Sequence, residues 1–184
     1  MARPKMGRQA RRVKGGSVSG GVRYSGGRMR VAAVFHTGLT VSDLDRSIAF
    51  YRDLLGLELV TQWESAQPYL RTVVGFPEAE LRIALLRLPG AAAGVSGHHL
   101  ELLEYRAPRG ARGDPRTCNP GNAHVAFMVH DLNQAYDELR AKGVRFKSAP
   151  VEITHGRNRG AKAVYFLDPD DITLELVEPA PRPG

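Results

Sequence analysis

Short runs of apolar, β-branched and aromatic residues, alternating with polar ones most clearly in LELLE, occur at LELVTQW (57–63), LRIALLRL (81–88) and HHLELLEY (98–105), and again at 123–129, 144–147, 162–167 and 172–178. Each stretch is therefore predicted to be a strand with one buried face. A further strand is expected over Val31–Phe35, with its alternation carried on through Leu39 and Val41. Between strands the period changes. Leu44, Ile48, Tyr51 and Leu55 fall at helical spacing, which predicts a helix over 44–54, capped by Ser42 or Asp43 and stopped by Gly56. Asp131 and Gly143 bracket a second helix over 132–141 in the same way. The segment PYLRTVVGF (68–76) fits either a strand or a short helix, and APRGARGDPRTCNPGN (107–122) reads as a linker.

These elements occur twice. FHTGLTVSDLDRSIAFYRDLLGLEL, beginning at Phe35, overlays AHVAFMVHDLNQAYDELRAKGVRF, beginning at Ala123. His36 falls on His124, Val41 on Val129, Asp43 on Asp131, Leu44 on Leu132, Arg52 on Arg140 and, after a one-residue gap, Gly56 on Gly143. LELLE (100–104) returns as LELVE (174–178). Such internal repetition decides architecture before any other signal. The chain is read as an α+β protein of two βαβββ modules, 29–106 and 123–179, with a basic tail over 1–28, the linker 107–122 and a short C-terminal tail over 180–184.

Charge changes the picture little once it is located. The formal net charge is +7 over 184 residues, but residues 1–28 hold eight Lys or Arg and no acid, whereas the remainder holds 18 basic and 19 acidic residues. The tail is rich in Gly, Arg and Ser and lacks apolar periodicity, so it is expected to be disordered. A basic arm, a transit-like segment and an upstream start ahead of MRVAAVFH compete as its origin. Nucleic acid is not an expected partner of the modules. No apolar run approaches the roughly 18–20 residues that cross a bilayer, and the single cysteine, Cys118, excludes an internal disulfide and fits a reducing, cytoplasmic setting.

One His near the start and one Glu near the end of each module point to a metal site on a pseudo-twofold axis. Two imidazoles and two carboxylates suit one divalent ion of the Ni, Co, Zn, Mn or Fe kind. Alternation places Leu100, Leu102 and Glu104 on one face of their strand and Glu101 and Leu103 on the other. It leaves open whether Glu101 or Glu104 faces the site. Asp43 and Asp131 are read as helix caps. His98, His130 and His155 are read as surface or rim, and His99, adjoining LEL, is a candidate to line the site. Arg157, Arg159 and Lys162 are candidates to hold a substrate carboxylate or phosphate, with a solvated charge run as the competing reading. Tyr105, Tyr69, Arg71, Trp63 and Arg87 are candidates for the mouth.

The segments HTGLTVSDLDRSIAFYRDLLGLEL, GNAHVAFMVHDLNQAYDELRAKGV and VYFLDPDDITLELVE resemble the vicinal oxygen chelate superfamily, which includes glyoxalase I, methylmalonyl-CoA epimerase, extradiol dioxygenases and bleomycin resistance proteins. The resemblance covers about 29–179. It implies paired modules whose sheets form a cup-shaped, partly open mixed sheet around a divalent ion, with His36, Glu101, His124 and Glu175 as ligands, and so selects Glu101 over Glu104. It implies a small-molecule substrate with adjacent oxygens and a homodimer. Glu101 favours the lyase and isomerase branch, since extradiol enzymes generally lack a carboxylate there. The expected chemistry is proton transfer alpha to a carbonyl through a metal-chelated enediolate or enolate, with Glu175 as first-choice base and Glu101 as its counterpart. Fe(II) ring cleavage and metal-free drug binding are the alternatives. The arginine and asparagine that hold glutathione in glyoxalases correspond here to Thr40 and Tyr105, and the DPDD turn (168–171) stands where epimerases carry a PKxxxG-type loop.

Overall fold

The computed structural model describes residue 31 and residues 33–90 and 99–181. The expected tail, most of the 89–97 loop, His98 and the last three residues lie outside these. Within them the order is β1 (His36–Thr40), α1 (Leu44–Ala49) running on as a π-helix (Phe50–Leu54), β2 (Glu58–Ser65), α2 (Pro68–Val74), β3 (Glu80–Arg87) and β4 (His99–Ala107). The second module follows with β5 (Val125–Met128), α3 (Leu132–Ala141), β6 (Arg145–Phe146), β7 (Val151–Glu152), β8 (Lys162–Leu167) and β9 (Thr173–Glu178).

Each module builds its own mixed sheet, β1-β4-β3-β2 in the first and β5-β9-β8-β6 in the second, with β7 pairing to β8. In both, the first and last strands run parallel and the others antiparallel. Of the strand expected over Val31–Phe35, residue 31 and residues 33–35 are irregular instead, because pairing with β4 begins only at His36 opposite His99. The ambiguous PYLRTVVGF segment resolves as a helix: Pro68 opens it and Gly75, at φ 77°, closes it in the left-handed conformation.

The helices begin as their caps dictate. Asp43 accepts from the Arg46 N–H at 3.0 Å and Asp131 from the Gln134 N–H at 2.9 Å. The final Glu of each repeat supplies a second anchor. Glu104 accepts from the Leu44 N–H at 3.1 Å and from Arg82, and Glu178 accepts from the Leu132 N–H at 2.9 Å and from Lys162. A carboxylate held against a helix N-terminus meets its unpaired N–H groups and the positive end of its dipole.

One apolar core spans both modules. Leu44, Ile48 and Tyr51 of the first helix, Leu132 and Leu139 of α3, and Leu100, Leu102, Leu174 and Leu176 of the last strands all belong to it. A polar latch reinforces this seam. The DPDD turn closes on itself through Asp168, whose Oδ1 accepts from the N–H groups of Asp170 and Ile172 at 2.8 Å. The other Asp168 oxygen accepts from the Tyr51 hydroxyl at 3.0 Å, and Asp170 accepts from the Ser42 N–H and from Arg46, both at 2.8 Å. Burial, together with the Asp168 carboxylate, pushes the Tyr51 hydroxyl well above its ordinary pKa, so it stays a proton donor.

Candidate metal centre

Because Leu100, Leu102, Leu174 and Leu176 face the core, Glu101 and Glu175 face away from it. Register then sets their neighbours. Gly38 of β1 lies opposite Glu101, and Ala126 of β5 lies opposite Glu175. His36 sits two residues before Gly38 on β1, and His124 two before Ala126, just ahead of β5, which puts each on the same side as its glutamate. His36 Nε2 is 3.2 Å from Glu101 Oε2, and His124 Nε2 is 3.2 Å from Glu175 Oε2. Both separations exceed the ~2.7–2.9 Å of a charge-assisted hydrogen bond. The arrangement presents one nitrogen and one oxygen donor side by side, which is the mixed donor set of a borderline divalent ion. The histidine side chains are 34% and 41% exposed, so both pairs are open to solvent.

Among the described residues no third His, Cys, Asp or Glu joins either pair. One chain therefore offers two two-donor half-sites. Glu104, the alternative to Glu101, is buried on the opposite face with Arg82 and the start of α1.

The remaining candidates divide. His99 is brought in, as the register partner of His36 on the same face. Tyr105 shares the Glu101 face but lies four residues further along β4, about 13 Å away at ~3.3 Å per residue, where it meets Phe76 edge-on at 6.2 Å. Lys162 is not brought in. It pairs with Glu178 across β8 and β9, its Nζ 3.1 Å from Glu178 Oε1, on the side away from Glu175. Alternation explains this, since three residues separate Glu178 from Glu175. Arg157 and Arg159 lie in the turn before β8, which closes with Gly160 N–H donating to the Ile153 carbonyl at 2.8 Å. That turn is at the far end of β8 from Leu167, and Lys162 alone is already ~10 Å along the strand from Tyr165, the residue opposite Glu175. His130 and His155 are exposed.

Two residues of the site escaped the sequence reading. Tyr165 stands opposite Glu175, with its ring 5.1 Å from that of His124. Lys147 continues β6, holds its Nζ 5.8 Å over the Tyr165 ring and donates to Thr173 Oγ1 at 3.0 Å. Counting across β8 from Glu175 would have found Tyr165. Lys147 depended on the register of a very short strand.

The chain belongs to the Glyoxalase/Bleomycin resistance protein/Dioxygenase superfamily, whose family model matches residues 33–176. It is 37% identical over 156 residues to a 2-epi-5-epi-valiolone epimerase from an Actinomyces species, covering 82% of each chain. It is 30% identical to a lactoylglutathione lyase from Schizosaccharomyces pombe, over 77% of this chain and 46% of that one, so it spans less than half of that relative. A glyoxalase family protein from Bacillus cereus shares the fold, with a TM-score of 0.67 and 19% identity over 85% of this chain and all of the other. Among the described residues no helix is long and apolar enough to cross a membrane.

Proposed function

We propose that two copies of the chain pair so that His36 and Glu101 of one meet His124 and Glu175 of the other around one divalent ion of the Ni, Co, Zn, Mn or Fe kind. The assembled site epimerises a small ketone with adjacent oxygens by moving a proton on the carbon beside the carbonyl. The observation that carries this is the identical register of the two His–Glu pairs, each holding half of a four-donor set. Trp63 and Met128, 36% and 71% exposed on the site faces of the two sheets, give the pairing an apolar surface to cover.

When bound, the ion would supply Lewis-acid polarisation of the carbonyl. The protein residues do the rest. Glu175 takes the proton from carbon, and Glu101, contributed by the facing copy, returns one from the opposite side, which inverts the centre. His36 and His124 hold the ion. Tyr165 walls the Glu175 side, where its ring restricts the approach of water. Identity to the Actinomyces epimerase over most of both chains favours epimerisation. Thr40 and Tyr105, standing where glutathione-using relatives carry arginine and asparagine, disfavour a glutathione adduct.

Wild-type protein, with its metal quantified, is expected to exchange solvent deuterium into 2-epi-5-epi-valiolone in D2O. Glu175→Gln should retain the ion and lose that exchange by at least ~100-fold. Undiminished exchange in the variant would remove Glu175 from the role of base.

A further inference from the structure

The two half-sites match at His and Glu and diverge one strand away. In the first sheet the cross-strand row through Glu101 continues to Leu85 of β3 and Thr61 of β2. In the second, the row through Glu175 continues to Tyr165 of β8 and then to Lys147, whose backbone N–H donates to the Tyr165 carbonyl at 2.9 Å. An aromatic ring and an ammonium thus stand where the first module has an aliphatic and a small polar side chain. Glu175 and Tyr165 point to the open face, because Val164, Phe166, Leu174 and Leu176 take the core.

The ammonium is held in place without being neutralised. Lys147 Nζ donates to Thr173 Oγ1 at 3.0 Å and lies 5.8 Å from the centre of the Tyr165 ring. Thr173 is two residues before Glu175 on β9 and shares its face. No carboxylate among the described residues pairs with Lys147, and Arg145, two residues earlier, is committed to Asp171 and the Asp168 carbonyl. Of the three N–H donors of the ammonium, two remain for a ligand. A single ammonium with no second cation beside it lacks the paired donors that clamp a carboxylate or phosphate, and suits a neutral hydroxyl oxygen.

Spacing adds a size. Neighbouring strands stand ~4.8 Å apart, so the Lys147 backbone is about 10 Å from that of Glu175. With Glu175 at the carbon that loses its proton, this interval accommodates one substituted six-membered ring lying against Tyr165. The C–H groups of such a ring meet the negative face of the aromatic system.

We propose that Lys147 and Tyr165 select the substrate: a polyhydroxylated ring ketone whose body rests on Tyr165 and whose hydroxyl farthest from the chelated oxygens accepts from Lys147. The proposal rests on the shared metal centre with Glu175 as base. Because Leu85 and Thr61 offer no equivalent, the substrate binds in one sense only, with its remote hydroxyl toward the second module.

Calorimetric titration of the metal-loaded full chain tests it, in the Glu175→Gln background where turnover ceases. The probes are 2-epi-5-epi-valiolone, hydroxylated around its ring, and 2-hydroxycyclohexanone, which keeps the ring and the adjacent oxygens but has no remote hydroxyl. Lys147→Met, which keeps most of the stem and removes the donors, should weaken the first by ~10-fold or more and the second by less than ~2-fold. Tyr165→Leu, matching Leu85 of the first module, should weaken both by several-fold. Equal effects of Lys147→Met on the two ketones, or undiminished binding of both in Tyr165→Leu, would overturn the inference while the metal centre stands. Proton exchange that persists in Glu175→Gln with this selectivity intact would overturn only the role of Glu175, and binding of neither ketone would overturn both.

Discussion

If each reaction centre draws one His–Glu pair from each of two copies, two different inactive variants should restore one another. His36→Ala removes a donor from the first half-site and His124→Ala from the second, and the pairs are separate within a chain, each closed at 3.2 Å without a third ligand. In a homodimer of either variant both centres lack one of four donors, and stoichiometric metal should be lost on desalting. In a heterodimer one centre collects both lesions and the other collects neither. Random association makes half of all dimers mixed, each with one intact centre of two, so a co-expressed pair should recover about a quarter of wild-type metal and deuterium exchange. Isolation of the heterodimer through two different tags should raise this to about half. The assay is elemental analysis per chain alongside exchange measured by NMR. Recovery no greater than that of the single variants would refute the shared centre, because a site closed within one chain cannot be complemented.

Three further outcomes follow from the fold. Tyr51→Phe deletes a buried hydroxyl that donates to Asp168 at 3.0 Å, and should cost ~1–3 kcal/mol, read as a fall of several degrees in Tm. Glu104→Gln should likewise lower Tm, because it weakens the anchor of α1 and leaves Arg82 without its buried partner, whereas Glu101→Gln, on the open face, should lose deuterium exchange, as Glu175→Gln does, at nearly unchanged Tm. Burial acts to raise the Asp170 carboxyl, but hydrogen bonds from Ser42 and Arg46 outweigh it and hold the group below its ordinary value. Its stabilising effect is therefore fully present above the normal carboxylate range, near pH ~4, and is lost as pH falls through the lowered folded value. The Tm gap between wild type and Asp170→Asn should accordingly shrink from pH 7 to pH ~3, and a constant gap would contradict the latch.

The duplicated pattern was enough to read the module order and the caps at Asp43 and Asp131, because each follows from a period of two or 3.6 and a local cap, whereas the choice of Glu101 over Glu104 came from the family resemblance and not from alternation. What stayed hidden depended on contacts between segments distant in sequence. The roles of Glu104 and Glu178 were invisible since their partners, the N–H groups of Leu44 and Leu132, lie 60 and 46 residues away. Lys162 looked like part of a basic loop with Arg157 and Arg159, yet it is the counterpart of Arg82: each pairs in register with the closing glutamate of its repeat. Two-residue β7 gave alternation nothing to act on. The pairing of half-sites is beyond sequence altogether, because a repeat specifies equivalent places without specifying which copies meet.

The points at which the repeats disagree show what divergence accomplished. The single gap needed to align Gly56 with Gly143 is one extra residue in the first helix, and it is absorbed where that helix becomes a π-helix, with Leu55 N–H donating to the Phe50 carbonyl at 3.3 Å. At the start of this wider turn stands Tyr51, whose equivalent in α3 is the core residue Leu139. The hydroxyl gained by the first copy has its acceptor in a turn gained by the second, since the DPDD sequence at 168–171 has no counterpart in the Gly- and Ala-rich loop between β3 and β4. The seam between modules is therefore asymmetric, with the second module's turn gripping the first module's helix. On the opposite faces symmetry is kept at the chemistry-bearing positions, where the two His–Glu pairs have the same register and the same 3.2 Å separation. Divergence on the core side with identity on the open side is the pattern expected if the modules were bound to each other through one face while both kept supplying halves of a common centre through the other.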